Sequence, residues 1–298
     1  MAVLLAAVLT LALTAPSPAG PARAPGRPAA PSRPPGPTLA VEDTLHTEVP
    51  PVLVSAPRVT LDEILARVAR GERRRDSLMT DQSVLVTVRL VRNADRKRPA
   101  QLVSETVMRI LKKKPDRVRT QVLRDYRAEE DKKGRGQVRI RLNARAGMDE
   151  EIVNFAFRPE ARRRYRYRIL GRDLIGDHLI YRIAFEPRSL LDPTTPGGLV
   201  WIDTNDFVIV RQELTFTHSP APPILKDVNR IVIERQNVDG HWVLKRMLLR
   251  AEATLPLPKV GRSFDFSMSF DQYAINTGLP DSIFAARTGQ ALPRSDRP

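Results

Sequence analysis

Apolar and polar residues alternate along much of the chain, and this alternation limits the fold more than any other feature. In the stretch 264–270 every second residue is apolar, and the residues between are Ser or Asp. Side chains point alternately to the two faces of a β-strand, so such a stretch predicts a strand with one apolar face. The predicted strands of this kind are 84–90, 138–142, 165–169, 179–185 and 264–270.

Turn signals and one helix complete the predicted architecture. The segments 204–206 and 238–240 lie between strand-like stretches and predict tight hairpins. Thr60 and Glu63 form a capping box at the start of an amphipathic helix that we expect to end near Glu72. The sequence thus predicts a mainly β fold: a single highly curved antiparallel sheet, a half-barrel of roughly ten to twelve strands with one or more lid helices. A compact sandwich is the alternative.

The first 57 residues differ from the rest in composition. An apolar run at 2–13 is followed by small residues and prolines, which is typical of a signal peptide. Twelve of the 26 prolines lie between Pro16 and Pro57, a composition that does not bury enough surface to fold. The expected organisation is a signal peptide (1–24), a Pro-rich disordered tether (25–57), a half-barrel domain (58–286) and a flexible tail (287–298).

The chain is basic, with a formal net charge of +15, and the charge is uneven. Residues 109–168 hold 20 basic and 9 acidic side chains. Such a basic stripe can bind an anionic membrane surface or an acidic partner. Strand faces that are simply exposed to solvent would give the same charge pattern. Within it, Arg and Tyr alternate from Arg164 to Arg168, which places the two residue types on opposite faces of a strand. A shared stacking and phosphate-binding surface is therefore absent, and we expect no nucleic acid partner.

Several functional classes are excluded by what the sequence lacks. There is no cysteine, which excludes disulfides, thiolate nucleophiles, Cys-ligated zinc and a lipid anchor on cysteine. The four histidines have no metal-ligand spacing, and no nucleotide-binding or hydrolase motif occurs. The carboxylate runs at 129–131 and 149–151 lie in polar stretches, whereas acid–base catalysis needs a desolvated carboxylate. We expect no enzyme activity, no cofactor and no metal.

Short motifs follow one another in a recognisable order between residues 60 and 275. After the helix and its first strand comes Lys114-Pro115, and later Trp201-Ile202-Asp203 leads through a short turn to Val210-Arg211. This order resembles the LolA-like superfamily, the periplasmic outer-membrane lipoprotein-sorting carriers and their relatives. The resemblance implies a half-barrel whose concave apolar face is covered by helices and accepts acyl chains. In the carriers an Arg before the proline holds the lid, so the resemblance implies Lys114 as a lid contact.

Two functions follow as expectations. The first is a periplasmic, exported carrier for lipoproteins or other acylated or apolar ligands, with a lipidated protein or a lipid as its partner. The second is an envelope interaction or stress-sensor module that uses a basic face, without ligand transport. Sequence alone does not separate a cavity wall from a packed core. The residues expected to line the cavity are Tyr165, Tyr167, Tyr181, Phe185, Phe266, Met268 and Phe270.

Overall fold

The computed structural model describes six stretches of the chain that together contain the sheet and the helix of the predicted domain. The described residues are 59–96, 98–128, 153–189, 195–221, 224–257 and 259–285. The predicted signal peptide, tether and tail lie outside them, as does the predicted strand at 138–142. Neither α-helix with printed bounds in these stretches is both long enough and apolar enough to span a bilayer.

Ten antiparallel strands form one sheet in the described part of the chain. They are β1 (Asp81–Arg92), β2 (Gln101–Lys113), β3 (Arg117–Arg127), β4 (Tyr165–Ile175), β5 (His178–Pro187), β6 (Gly197–Asp203), β7 (Val208–Thr215), β8 (Leu225–Val238), β9 (His241–Leu257) and β10 (Gly261–Ile275). Their order is β3-β2-β1-β10-β9-β8-β7-β6-β5-β4, so β3 and β4 are the two edges and the sheet is not closed. The predicted fold class is confirmed, including the approximate number of strands.

Both predicted hairpins are present. Strands β8 and β9 are joined by Asp239 (φ 50°) and Gly240 (φ 79°), and two successive positive φ angles are what a two-residue type I′ turn requires. Strands β6 and β7 are joined by residues 204–207, in which Phe207 has a φ of 54°. Strands that these turns join are consecutive in the chain and adjacent in the sheet.

Helix α1 (Leu61–Ser77) begins where the sequence predicts and ends later. The backbone N–H of Glu63 donates to the hydroxyl of Thr60 at 3.3 Å, which is the Thr60 half of the predicted capping box, whereas the Glu63 carboxylate accepts from Arg67. The last turn contains Arg74 and Arg75, whose charges suit a helix C-terminus. This turn has no apolar periodicity to reveal it, which is why the predicted end falls short. A second, four-residue helix, α2 (Ser282–Ala285), follows β10.

One face of the sheet is apolar and covered, and we call it the covered face; the opposite face is the outer face. The alternating apolar residues of β1, β5 and β10 point to the covered face and are buried, except the half-buried Leu179 at the start of β5. Helix α1 lies across this face against β7 and β4. The side chains that close the core from above come from α1 and from the segment 153–157: Ile64, Leu65, Val68, Val153, Ala156 and Phe157.

Candidate functional site under helix α1

The seven residues expected to line a cavity all lie on the covered face, in two groups and one separate residue. Tyr165, Tyr167 and Phe185 are in contact, with ring centroids 6.2 Å apart for the two tyrosines and 5.7 Å apart for Tyr165 and Phe185. The second group follows β10, where the residues pair with the apolar stripe of β1, and consists of Phe266, Met268 and Phe270. Tyr181 lies on β5 within the same core. Whether these residues bind a ligand remains a prediction.

Two further phenylalanines complete the first group. Phe157 lies 5.5 Å from Tyr167 and 5.6 Å from Phe185, and Phe155 lies 6.0 Å from Phe185. We call these five rings the aromatic cluster. The hydroxyl of Tyr167 donates to a backbone carbonyl of this segment, and burial raises the pKa of Tyr167 above its ordinary value. Sequence reasoning missed both phenylalanines because residues 153–160 have neither strand nor helix periodicity; the only signal is two Phe in four residues.

Arg162 holds the N-terminal half of α1 by a hydrogen bond. Residues Arg162–Arg164 form a 3-10 turn before β4, so the predicted alternation starts only at Tyr165. The turn directs the Arg162 guanidinium to the helix, where it donates to the carbonyl oxygen of Leu65. Tyr165 is buried, Tyr167 is half-buried, and Arg166 and Arg168 are exposed, as alternation predicts, but Ile169 at the end of the predicted stripe is exposed, next to a register shift between Ile169 and Gly171.

Lys114 contacts the other end of the helix. Its Nζ donates to the carbonyl oxygen of Asp76 and lies 3.2 Å from the Asp76 carboxylate. Asp76 belongs to the last turn of α1. The position that the family resemblance implied as a lid contact therefore does touch the helix, through a point charge on a half-exposed side chain.

A buried charge cluster of Glu72, Arg75 and Arg235 joins the middle of α1 to the sheet. Arg235 on β8 donates to Glu72 at 2.6 Å and to the carbonyl of Ile209 at 3.0 Å. The N–H of Ile209 donates to Glu72 at 2.8 Å. Arg75 donates to the carbonyl of Trp242 at 3.2 Å, and its Nε lies 3.3 Å from the Glu72 carboxylate. One carboxylate thus connects the helix with β7 and β8.

The charge state of Glu72 follows from its surroundings. Burial by itself raises the pKa of a carboxyl group, but the charges of Arg235 and Arg75 and the hydrogen bonds from Arg235 and Ile209 lower it. The net effect is a pKa below the ordinary value. Glu72 is therefore ionised at neutral pH, and the ion pairs under the helix are intact there.

Gly71 allows the helix to approach the sheet closely. A Cβ at this position would lie 2.5 Å from the carbonyl oxygen of Phe207 and closer still to that of Asp206. Both carbonyls belong to the β6–β7 turn, and Arg67 on the helix stacks over the Phe207 ring at 5.1 Å. Only glycine allows this approach, which brings Glu72, the next residue, within reach of β7.

Gln212 places an amide on the covered face among apolar neighbours. It pairs in register with Val200 and Ile233, both of which are buried, and is itself 0% exposed. Neither its side-chain oxygen nor its nitrogen has a hydrogen-bond partner among the described residues. A buried amide without partners is costly in a packed core. A bound molecule with a polar group would satisfy it.

A cavity and a cleft lie next to the residues described above. A cavity of about 330 Å³ lies between α1 and the segment 154–160, and its walls include Glu72, Arg158 and Phe157. A cleft of about 560 Å³ lies at the hairpin end of the sheet and is lined by Trp201, Trp242 and neighbouring residues. The described residues contain no group of three or more His, Asp or Glu side chains that could hold a metal ion.

An open antiparallel sheet with a helix across its apolar face is the architecture that the LolA-like resemblance implies. No protein-family model matches the chain, and no curated protein matches its sequence. Among solved structures, the chain is similar to a DUF1329 family protein from Desulfovibrio piger, with 12% identity and a TM-score of 0.41 over 75% of this chain and 96% of that one.

Two further solved structures are similar to the chain. One is a putative outer membrane lipoprotein-sorting protein domain from Vibrio parahaemolyticus, with 13% identity and a TM-score of 0.38 over 74% of this chain and 95% of that one. The other is a LolA superfamily protein from Nitrosomonas europaea, with 16% identity and a TM-score of 0.33 over 76% and 97%. Their TM-scores are below 0.5, so function must follow from the contacts of this chain.

Proposed function

We propose that this protein binds acylated or otherwise apolar ligands between the covered face of its sheet and helix α1, and carries them through the periplasm. The observation that carries the proposal is how α1 is held. The helix lies over an apolar face and is held by polar contacts at three places: Arg162 contacts Leu65, Arg235 of the buried charge cluster contacts Glu72, and Lys114 contacts Asp76. Contacts of this kind can be exchanged for others, so the helix can serve as a lid.

The covered face supplies the driving force for binding. Burial of an acyl chain contributes about 0.8 kcal/mol per methylene group. A chain that replaces α1 side chains against the aromatic cluster keeps the sheet covered, so little apolar surface meets water during the exchange. The unpartnered amide of Gln212 supports the same proposal, because an ester or amide group of a lipidated protein would complete its hydrogen bonds.

The compartment and partners belong to the same proposal. We expect export, with a mature chain that begins between Gly20 and Pro25, and a lipidated protein or a lipid as partner. No catalytic step or cofactor takes part. Sequencing of the mature N-terminus after fractionation checks this; recovery of an intact Met1 from the cytoplasm would contradict it.

The test of the proposed function compares neighbouring positions on β10. The full chain is titrated with a solvatochromic fatty-acid probe, which a lipopeptide should displace. Phe266→Asp places a charge on the covered face, while Ser267→Asp places the same charge on the outer face one residue away. We expect Ser267→Asp to bind as the parent does, and Phe266→Asp to lose binding at least tenfold.

The outcomes of this test separate a ligand space from a packed core. Phe266 is 1% exposed, and a charge buried there without a partner would unfold a packed core. A folded Phe266→Asp variant that no longer binds supports the proposal, because the ligand space can admit water around the carboxylate. A parent protein that never binds the probe overturns the proposal.

A second candidate, docking to an anionic surface, rests on the charges of the outer face. Glu105 lies between Arg89 at 2.6 Å and Arg124 at 3.7 Å, so arginines outnumber carboxylates there. Attraction to an anionic bilayer decays over a Debye length of about 8 Å at physiological salt. Binding to phosphatidylglycerol vesicles should therefore fall sharply as salt is raised. Binding that survives molar salt would contradict an electrostatic contact.

A further inference from the structure

The cleft at the hairpin end of the sheet offers an apolar surface apart from the covered face. Trp201 and Ile180 line it, and both point away from the covered face, because their strand neighbours Ile202 and Tyr181 belong to the core. Ile175 at the end of β4 also lines the cleft and is 63% exposed. The cleft volume of about 560 Å³ is within the range of pockets that bind ligands.

Both tryptophans of the chain take part in this surface. The chain has two, Trp201 and Trp242, and both line the cleft. The guanidinium of Arg211 lies 5.3 Å from the ring centroid of Trp201, and the indole N–H of Trp242 donates to Asp206 at 2.9 Å. These contacts hold the two rings in position, while each side chain stays half-buried and leaves surface for a further partner.

The charges around the cleft favour a basic partner. Arg182 and Arg211 flank Trp201 in the register of the sheet. Each of the two has a carboxylate partner, Asp173 at 2.9 Å and Glu213 at 2.5 Å respectively. Three further carboxylates surround His178 and raise its pKa: Asp203, Asp177 and Asp206. One histidine does not balance three carboxylates, so this end of an otherwise basic chain carries negative charge.

A segment of the predicted tether fits such a surface by its spacing. Between residues 25 and 37 every third residue is proline: Pro25, Pro28, Pro31, Pro34 and Pro37. A polyproline II helix has three residues per turn, so these prolines form one ridge of it. Arg27 and Arg33 share a second ridge, and the segment contains no Asp or Glu. The segment, which lies outside the described residues, is thus apolar on one ridge and basic on another when it adopts this helix.

The chain between this segment and α1 is long enough to reach the cleft. Residues 38–58 connect the segment to Val59, just before the helix. An extended chain of that length spans up to about 70 Å. The longest strand, β9, has 17 residues and extends about 56 Å, so either end of the sheet is within reach. Because both partners belong to one chain, the effective concentration is on the order of 1 mM, and even a weak contact is occupied.

We propose that residues 25–37 bind as a polyproline II helix in this cleft, with the proline ridge against Trp201 and Trp242 and the arginine ridge toward Asp177 and Asp206. Aromatic-lined grooves recognise proline-rich chains in this way, because the helix is already extended and loses little conformational entropy on binding. The tether then closes back on its own domain at the hairpin end of the sheet. The site is separate from the ligand space under α1, so it does not depend on the proposed function.

The two tryptophans report on this site alone, because the chain has no others. The full chain is compared with a Pro31→Ser/Pro34→Ser variant, which interrupts the proline ridge without changing a described residue. We expect acrylamide quenching of the tryptophan fluorescence to rise about twofold in the variant, because the indoles lose their cover. A synthetic peptide of residues 25–37 should return the quenching of the variant to that of the parent. A scrambled peptide of the same composition should not.

Pro50→Ser/Pro51→Ser is the matched control, because it removes two prolines of the same tether outside the periodic segment. It should be quenched as the parent is. Equal quenching in the parent and in both variants overturns the inference. Quenching of the parent that rises on dilution shows that the segment comes from a second copy of the chain, which contradicts docking within one chain.

Discussion

The two faces of the sheet satisfy their charged groups in opposite ways. On the outer face, carboxylates pair with exposed or half-exposed arginines: Glu213 lies 2.5 Å from Arg211 and 2.6 Å from Arg230, and Arg246 lies 2.5 Å from Glu234. On the covered face, the carboxylate of Glu72 pairs with two buried arginines, Arg75 and Arg235. On the outer face the arginines of these pairs extend into solvent, whereas among the described residues of the covered face Glu72, Arg75 and Arg235 form a cluster of buried charges.

This difference indicates which charges position the helix. Exposed ion pairs contribute about 0–1 kcal/mol each, because water screens the attraction and competes for the same groups. Removing one partner from a buried pair costs about 3–5 kcal/mol, since the other charge stays buried without compensation. The many pairs of the outer face should therefore matter less to stability than the few contacts under α1.

The largest expected effect is that of Glu72→Gln. This change leaves Arg75 and Arg235 buried without a counter-charge and weakens the acceptor for the N–H of Ile209. We expect a loss of about 3 kcal/mol in the free energy of unfolding, measured by urea denaturation.

Glu213→Gln is the matched control on the outer face. Its partners Arg211 and Arg230 stay partly in solvent, so the loss should be under about 1 kcal/mol. Equal losses for the two variants would show that the faces do not differ in the way described.

The stability that Glu72 contributes should depend on pH with a definite sign. Because the pKa of Glu72 is lowered in the folded protein, its stabilisation is present above about pH 4.3 and is lost as pH falls through the folded-state pKa.

The next effect concerns the close approach of the helix at Gly71. Alanine has a better helix propensity than glycine by about 1 kcal/mol, so a loss of stability in Gly71→Ala can only come from the clash with the β6–β7 turn. We expect a net loss of about 1–3 kcal/mol. In Gly171→Ala the nearest atom is the flexible end of Arg182 at 3.1 Å, so that change should stay within about 0.5 kcal/mol. A stabilised Gly71→Ala would mean that α1 sits farther from the sheet.

A smaller effect of opposite sign is expected for Gln212→Leu. Leucine removes a buried amide without partners, so the ligand-free protein should gain about 1 kcal/mol in thermal or urea unfolding. Gln101→Leu, on the exposed first residue of β2, should change little. If Gln212→Leu instead lowers stability, the amide has a partner in solution, such as a bound water or a co-purified ligand.

The strands, the hairpins and the start of the helix could be predicted because their signals are local. A period of two, a turn pair such as Asp239-Gly240 and a capping box each act within a few neighbouring residues. The predicted face assignment along β1 and β10 is also confirmed, since alternation fixes which side chains share a face.

The contacts that hold the helix could not be predicted. Arg162 donates a hydrogen bond to Leu65, which is 97 residues away in sequence, and Arg235 donates one to Glu72, which is 163 residues away. Arg235 follows Ile231 and Ile233 at a period of two, so alternation places it on the covered face, but no local pattern shows that a carboxylate from the helix meets it there. Charged residues in a basic chain are most simply read as exposed, and that interpretation is wrong at the places that matter for the site.

The smallest expected effect lies on the outer face, where His178 pairs with the buried carboxylate of Asp203. The hydrogen bond to Asp203, together with its charge and those of Asp177 and Asp206, raises the pKa of His178 above its ordinary value. A raised folded-state pKa means that the stabilisation is fully present below the unfolded pKa of about 6.5 and is lost as pH rises through the folded-state value. We therefore expect the difference in melting temperature between the parent and His178→Gln to be largest below pH 6.5 and to shrink above it. Because the His178 side chain is half-exposed, this difference should be smaller than that of any covered-face variant. The titration of the His178 ring, followed by NMR, gives the pKa directly, and a stability difference that grows with pH would contradict the pairing.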